Sequence, residues 1–336
     1  VKQPIMNLNK VPAIPEHQAF SDATLTWIAR QNLWNLWVPE AFGGVESALQ
    51  EGLSILQSLA RTDGSLGWTV TLCAGANFFV GNLQPDFARQ LFNGQPVIMG
   101  GSGGVFGTAN RLTQGYNLNG HWRYATGAPY LTHFTLNAAL TENGEPLTNP
   151  DGTEVVKSFV LPANQVTVTE DWQTMGLKAT ATHSFDVSDV QVDDGQSFTY
   201  DKVYLPQPLY KLDFAVFADL TLWVNYIGMA EHLYSETQGC QQSDVRTQLH
   251  AAITSANKEV SRLASECEQL AGNHATFDDI VVKAVHNSAC ASVAELTRAV
   301  VGVYPYLGIS AASQGNVVNQ IFRDYFTATQ HHIFHR

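Results

Sequence analysis

The hydrophobic pattern changes period twice along the 336 residues, and that change constrains the fold more than any single motif. From Ser21 to about Phe92, apolar residues recur at spacings of three and four, as helices that bury one face require. SDATLTWIARQ opens with Ser21-Asp22, which can cap a first turn, and sets Leu25, Ile28 and Ala29 on one face. Pro39 and Gly43-Gly44 mark a loop in LWVPEAFGG, after which Leu49, Leu53, Leu56 and Ala60 resume the helical spacing. Beyond Thr62-Asp63-Gly64, SLGWTVTLCAGANFFVG predicts a buried helix too short to span a membrane. From about Pro96 to Tyr200 the period falls to two. GYNLNGHWRYATG predicts a hairpin turning at Asn119-Gly120, and THFTLNAAL, VVKSFVLP, VTVTEDW and HSFDVSDVQV extend an all-β middle of about six to eight strands. From about Pro206 helices return. Leu249, Ile253, Ala256, Val260, Leu263, Cys267 and Leu270 stripe one that Gly272-Asn273 ends, and Phe277, Val281, Ala284, Val285, Leu296, Val300 and Val303 outline the next. Four long helices there predict a bundle. The expectation is an α+β multi-layer chain: helices over 1–95, a β domain over 96–205 and a helical bundle over 206–336.

Composition narrows what such a chain can do. A net charge of −12 offers no basic stripe for nucleic acid, and no apolar run approaches membrane-spanning length. Hydrophobic residues at 45% against 14% charged suit much buried or subunit-covered surface. The start, VKQPIMNLNK, lacks the zones of a signal peptide. Cys73, Cys240, Cys267 and Cys290 are far apart and form no CxxC, so they predict small thiols in a reducing compartment, the cytoplasm.

Three segments carry candidate chemistry. GGSGGVFG (Gly100 to Gly107) follows a strand-like PVIM, but strand character continues after it where a phosphate cradle or nicotinamide fold needs a helix. It is either a flexible turn or a backbone that approaches a flat ligand closely. In HWRYATGAPY, alternation places Trp122, Tyr124 and Thr126 on one strand face, either as core packing or as a stacking wall for a heteroaromatic cofactor. The tail RDYFTATQHHIFHR holds His331, His332 and His335, three of the 11 histidines. His331 and His335 share a helical face, but no matching pair of ligands completes a metal site, so no metal is expected. His183 and His286 read as strand-face and helix-face residues, and neither GxSxG nor HExxH suggests a hydrolase.

In chain order, LWVPEAFGG with LQSLARTDGSLGW, GYNLNGHWRYATG, WQTMGLKATATHSFDVSDV and NQIFRDYFTATQHHIF together resemble the acyl-CoA dehydrogenase superfamily. The resemblance implies an N-terminal α-helical domain, a β-barrel-like middle domain that faces a flavin, and a C-terminal four-helix bundle, assembled as a homotetramer. Dehydrogenases of that superfamily carry a base carboxylate eight residues after the Arg-Asp pair, where this chain has His332. The alternative base position, early in the first bundle helix, falls near Ala218 and Asp219. The tail is more similar to the flavin-dependent monooxygenase branch, which includes oxygenases acting on hydroxyphenylacetate and dibenzothiophene. There Arg-Asp is followed after six residues by His, here His331.

That branch implies reduced FMN or FAD from a separate reductase, O₂, and a small aromatic or heteroatom substrate. It implies His331 as acid/base and Thr126 as a hydroxyl steadying the flavin. Cofactor contacts are implied at Gly101, Ser102, Trp122, Tyr124, Thr126, Gly127 and Arg323. The alternatives are an acyl-CoA dehydrogenase-type oxidoreductase acting on CH-CH groups, or a non-catalytic flavin-binding relative.

Overall fold

The structure, a computed structural model, describes residues 11–14, 19–273 and 277–334. Four helices come first: α1 (Asp22–Arg30), α2 (Leu49–Thr62), α3 (Gly64–Asn77) and α4 (Pro85–Leu91). Ser21 caps α1 as expected, its hydroxyl accepting the Thr24 amide at 3.2 Å. Asp63 closes α2 and opens α3, accepting the Leu66 amide at 2.9 Å, so the Thr-Asp-Gly break is a corner held by one carboxylate. Leu49, Leu53, Leu56 and Ala60 are buried together, while α3 is buried almost all round and has no polar stripe.

Eight strands follow: β1 (Met99–Arg111), β2 (Tyr116–Ala125), β3 (His133–Glu142), β4 (Glu145–Pro146), β5 (Val156–Pro162), β6 (Thr167–Thr169), β7 (His183–Val192) and β8 (Ser197–Phe198). They form one sheet in the order β6-β7-β2-β1-β3-β5-β8, with β4 beside β3. β1 and β3 run parallel and the other pairs antiparallel, so the sheet is mixed. Among the described residues its path ends at β6 and β8 without closing, an open sheet where a barrel-like middle was expected.

Two local expectations fail for identifiable reasons. Asn119-Gly120 is not a turn: it lies within β2, and the chain reverses at 112–115, where Gly115 has φ +76°. Gly120 serves close packing instead. A Cβ there would fall 2.5 Å from Gly107 Cα and 2.7 Å from the Trp122 ring, so the two facing glycines make room for the indole. Nor do Trp122, Tyr124 and Thr126 share a face. The β2–β7 register shifts between Trp122 and Ala125, and Tyr124 adopts φ +66°. This irregularity breaks the alternation.

The last helices are α5 (Phe214–Glu236), α6 (Ser243–Gly272), α7 (Asp279–Val303) and α8 (Val317–Ala328). The predicted α6 stripe is buried from Leu249 to Cys267, and Val285, Leu296, Val300 and Val303 of α7 are buried as well. α5, α6 and α7 pack on one another. α8 has only 12 residues, so three long helices and one short one replace the four long ones expected, and it sits against α5 and α3. α2 packs along α5 and α3 along β1, which joins the three layers.

Candidate active site

The site begins where α8 meets the segment 172–182. Gly176 lies against α8 so closely that a Cβ would fall 2.2 Å from the Arg323 carbonyl and 2.5 Å from the Asp324 amide nitrogen. The segment is fastened on both sides of that contact. Arg323 Nη1 donates to Met175 O at 2.6 Å, the Gly176 amide donates to Thr327 Oγ1 at 3.0 Å, and the Leu177 amide donates to Asp324 Oδ1 at 2.5 Å. Its backbone is strained: Leu177 and Ala181 adopt φ +50° and +43°. Each such residue costs on the order of 1–3 kcal/mol, and this kind of strain tends to collect at functional sites. Arg323 is thus a clamp on this segment, and its Nε–H also donates to Asn319 Oδ1 at 2.8 Å.

Behind the clamp sit two carboxyl groups. Asp324 and Asp63 are both buried, and Gln320 Nε2 donates to Asp63 Oδ2 at 3.1 Å. Burial, reinforced by the charge of Asp63, pushes Asp324 up to about 7, and burial raises Asp63 too.

Thr126 ends a chain of hydroxyls. Its Oγ1 is 3.1 Å from Thr182 Oγ1, which is 2.7 Å from Thr180 Oγ1, and Thr180 donates to Leu177 O at 2.7 Å. A hydroxyl has one proton. Since Thr180 spends its proton on a carbonyl, Thr182 must donate to Thr180, and Thr126 to Thr182. Thr126 is therefore left presenting lone pairs, an acceptor. The next residue, Gly127, turns at φ +79° and donates to Thr180 O at 2.8 Å, which fixes the spacing between β2 and the segment.

His331 follows α8, its amide bonded to Ala328 O at 2.9 Å. The imidazole is half-buried and stands edge-on to Trp68 of α3, with centroids 5.6 Å apart, and stacks on His332 at 4.8 Å. Trp68 in turn meets Tyr226, whose hydroxyl donates to Ala328 O at 2.6 Å. The Ile333 amide donates to His331 Nδ1 at 3.4 Å, so the neutral ring carries its proton on Nε2. α3 also reaches Thr126: Cys73, less than a turn and a half beyond Trp68, donates its thiol to Thr126 O at 3.8 Å. One buried helix thus supports both expected catalytic residues. Trp68, Thr180 and Thr182 escaped the sequence reading, because Trp68 looks like core and the two threonines matter only through tertiary bonds.

The remaining expected cofactor residues divide. Trp122 is 0% exposed, stacked on Phe185 at 5.5 Å and donating to Asn137 O, so it is sheet core and cannot wall a ligand. The close approach at Gly101 is to β3, where a Cβ would fall 1.7 Å from Thr135 O, and Ser102 beside it is nearly covered. Tyr124 points outward, 65% exposed, with Trp172 at its edge. Val105 and Phe106 of β1 and Met175 of the clamped segment are also exposed, and a Cβ at Gly103 would meet nothing within 4 Å. A flat apolar ring fits such ground. His335 lies outside the described residues. Among the described residues, no group of three His, Cys, Asp or Glu side chains converges on a metal-sized point, and no helix is long and apolar enough to cross a membrane.

This architecture is the acyl-CoA dehydrogenase fold. XiaF from Streptomyces sp., solved with FADH2 and glycerol, superposes with a TM-score of 0.84 at 21% identity, covering 94% of this chain and 85% of that one. The 3-HSA hydroxylase from Rhodococcus sp. RHA1 does so with a TM-score of 0.86 at 16% identity, covering 94% and 86%. Residues 226–336 match the family model described as acyl-CoA dehydrogenase, C-terminal domain. In sequence the chain is similar to the indole-3-acetate monooxygenase of Acinetobacter baumannii, 27% identical over 221 residues, 64% of this chain and 54% of that protein. The resemblance to the superfamily, on the side of its flavin-dependent monooxygenases, therefore stands. The chain spans about half the length of the indole-3-acetate monooxygenases it matches.

Proposed function

We propose that this chain is the oxygenase component of a two-component flavin-dependent monooxygenase, taking reduced FMN or FAD from a separate reductase and O₂ to oxygenate a small aromatic or heteroatom substrate. The observation that carries this is His331: an imidazole, not a carboxylate, held against Trp68 just after an Arg-Asp pair that clamps the segment 175–177. The other place for a dehydrogenase base offers only Asp219, which is 3% exposed and bonded to His286. The names of the relatives, indole-3-acetate monooxygenase and resorcinol hydroxylase among them, support an aromatic substrate.

Bound flavin would supply the redox chemistry, with Tyr124, Gly127 and the exposed apolar residues of β1 beside it. The protein's own part is narrower. Thr126 offers its lone pair to a ring N–H, which reduced flavin carries at its central ring and oxidised flavin lacks. His331 acts as acid/base toward the substrate, its Nε2–H giving a proton in the neutral ring's resting tautomer. Trp68, itself backed by Tyr226, gives that imidazole an apolar wall that limits water. We further infer three units bounded near residues 95 and 205. Their assembly into a homotetramer would use the exposed Val301, Tyr306, Ile309 and Val317 of the bundle.

The test supplies chemically reduced FMN or FAD, ¹⁸O₂ and a panel of phenols, indoles and thioethers. Oxygenated product carrying the label is expected. Flavin bleaching by acyl-CoA, with no labelled product, would place the chain with the dehydrogenases instead.

A further inference from the structure

α5 and α7 lie side by side, with Trp223 Nε1 donating to Ser292 Oγ at 2.9 Å. On the N-terminal side of that contact in both helices, three side chains of acid, base and nucleophile chemistry meet. The carboxylate oxygens of Asp219 lie 3.3 and 3.2 Å from His286 Nδ1, and the other ring nitrogen, Nε2, lies 3.5 Å from Cys290 Sγ. His286 and Cys290 are four residues apart on α7 and so share a face. Both are half-buried, whereas Asp219 is closed off from solvent.

The three are in line, not convergent. The two ring nitrogens face opposite partners, so the group cannot close around a metal ion but can pass a proton. A carboxylate at Nδ1 selects the tautomer with its proton there, leaving the Nε2 lone pair toward the thiol. A nucleophile, a base at its proton and a group orienting the base are the parts of nucleophilic catalysis.

We propose that Asp219, His286 and Cys290 form a thiol site at which hydrogen peroxide, or a small organic hydroperoxide, oxidises Cys290 to its sulfenic acid. His286 Nε2 takes the thiol proton, and the sulfur attacks one peroxide oxygen. The O–O bond breaks, and the departing oxygen recovers the proton from the imidazolium and leaves as water or alcohol. The sulfur is oxidised and the peroxide reduced, with Asp219 balancing the imidazolium charge during transfer. Partial burial and the charge of Asp219 push the Cys290 thiol above its ordinary range, so it rests protonated and the imidazole acts as base at each encounter. The proposal rests on the α5–α7 geometry and is independent of the flavin reading.

Cys240 is the internal control: also half-buried, it has its sulfur 3.7 Å from the Gln242 carbonyl. The full chain is exposed to hydrogen peroxide with dimedone present, and sulfenate adducts are mapped and timed by mass spectrometry. Cys290 is expected to label on the order of a hundredfold faster than Cys240, and His286→Gln to remove that advantage. Asp219→Asn is expected to slow Cys290 by at least about tenfold while leaving Cys240 unchanged. Cys290 labelling no faster than Cys240 overturns the proposal using the unsubstituted protein alone, so it stays decidable even where a variant fails to fold. A folded His286→Gln chain that labels at the original rate also overturns it.

Discussion

At Thr126 the direction of a proton matters more than its distance. Thr180 gives its only proton to Leu177 O, which forces Thr182 and then Thr126 to donate inward. Thr182→Val should free the Thr126 proton and remove the enforced acceptor. The ratio of reduced to oxidised flavin affinity, measured by titration under both conditions, should then fall by about fivefold to tenfold, the worth of one hydrogen bond. An unchanged ratio would deny Thr126 that role. At His331, substitution by Ala should abolish oxygenation while leaving flavin affinity nearly intact, with product yield and flavin Kd as the paired readouts. Of this scale the sequence showed the residues but not their bonds. His331 was singled out by the resemblance of the tail, whereas alternation misplaced Trp122, because a bulge between Trp122 and Ala125 leaves no mark in an apolar-polar pattern.

The junction of α8 with the segment 172–182 is where element-scale energetics concentrate. Gly176→Ala drives a Cβ into the α8 backbone at Arg323 and Asp324, so Tm should drop by the several degrees that about 2–3 kcal/mol implies for a chain of this size. The buried carboxyl pair adds a pH dependence. Asp324 is raised from 3.8 in the unfolded chain to about 7 when folded, so the folded state holds the extra proton between those values. Its stabilising contribution is whole below 3.8 and is lost as pH rises through 7, at up to about 1.4 kcal/mol per pH unit. Asp324→Asn keeps an acceptor for the Leu177 amide but does not titrate. Unfolding free energies from denaturant curves between pH 5 and about pH 8 should fall less steeply for this variant than for the unsubstituted protein. Parallel slopes would show that Asp324 is not the group responsible. Helices were legible at this scale because Ser21 and Asp63 sit at their caps and Leu249 to Cys267 keep their period. The hairpin was not, since Asn119-Gly120 reads as a turn until Gly107 is known to face it across two strands.

Across the whole molecule, three layers share one buried helix. α3 touches β1, α5 and α8, and from it Trp68 and Cys73 reach His331 and Thr126. The order helix, sheet, helix was plain in the changing hydrophobic period. The parallel pairing of β1 with β3 was not, because strand order depends on contacts that no local pattern encodes. If Ile309, 89% exposed, is covered by a second copy, Ile309→Asp should shift sedimentation toward smaller species, and an unchanged profile would deny this patch that role. The central claim, a site built to hold reduced flavin and direct its reaction with O₂, is tested most directly by stopped-flow absorbance. The protein, loaded with reduced FMN or FAD, is mixed with oxygenated buffer. Oxidised flavin is expected to return only after a delay of seconds, shortened in the Thr126→Val variant. Immediate return at the rate of free flavin would contradict it.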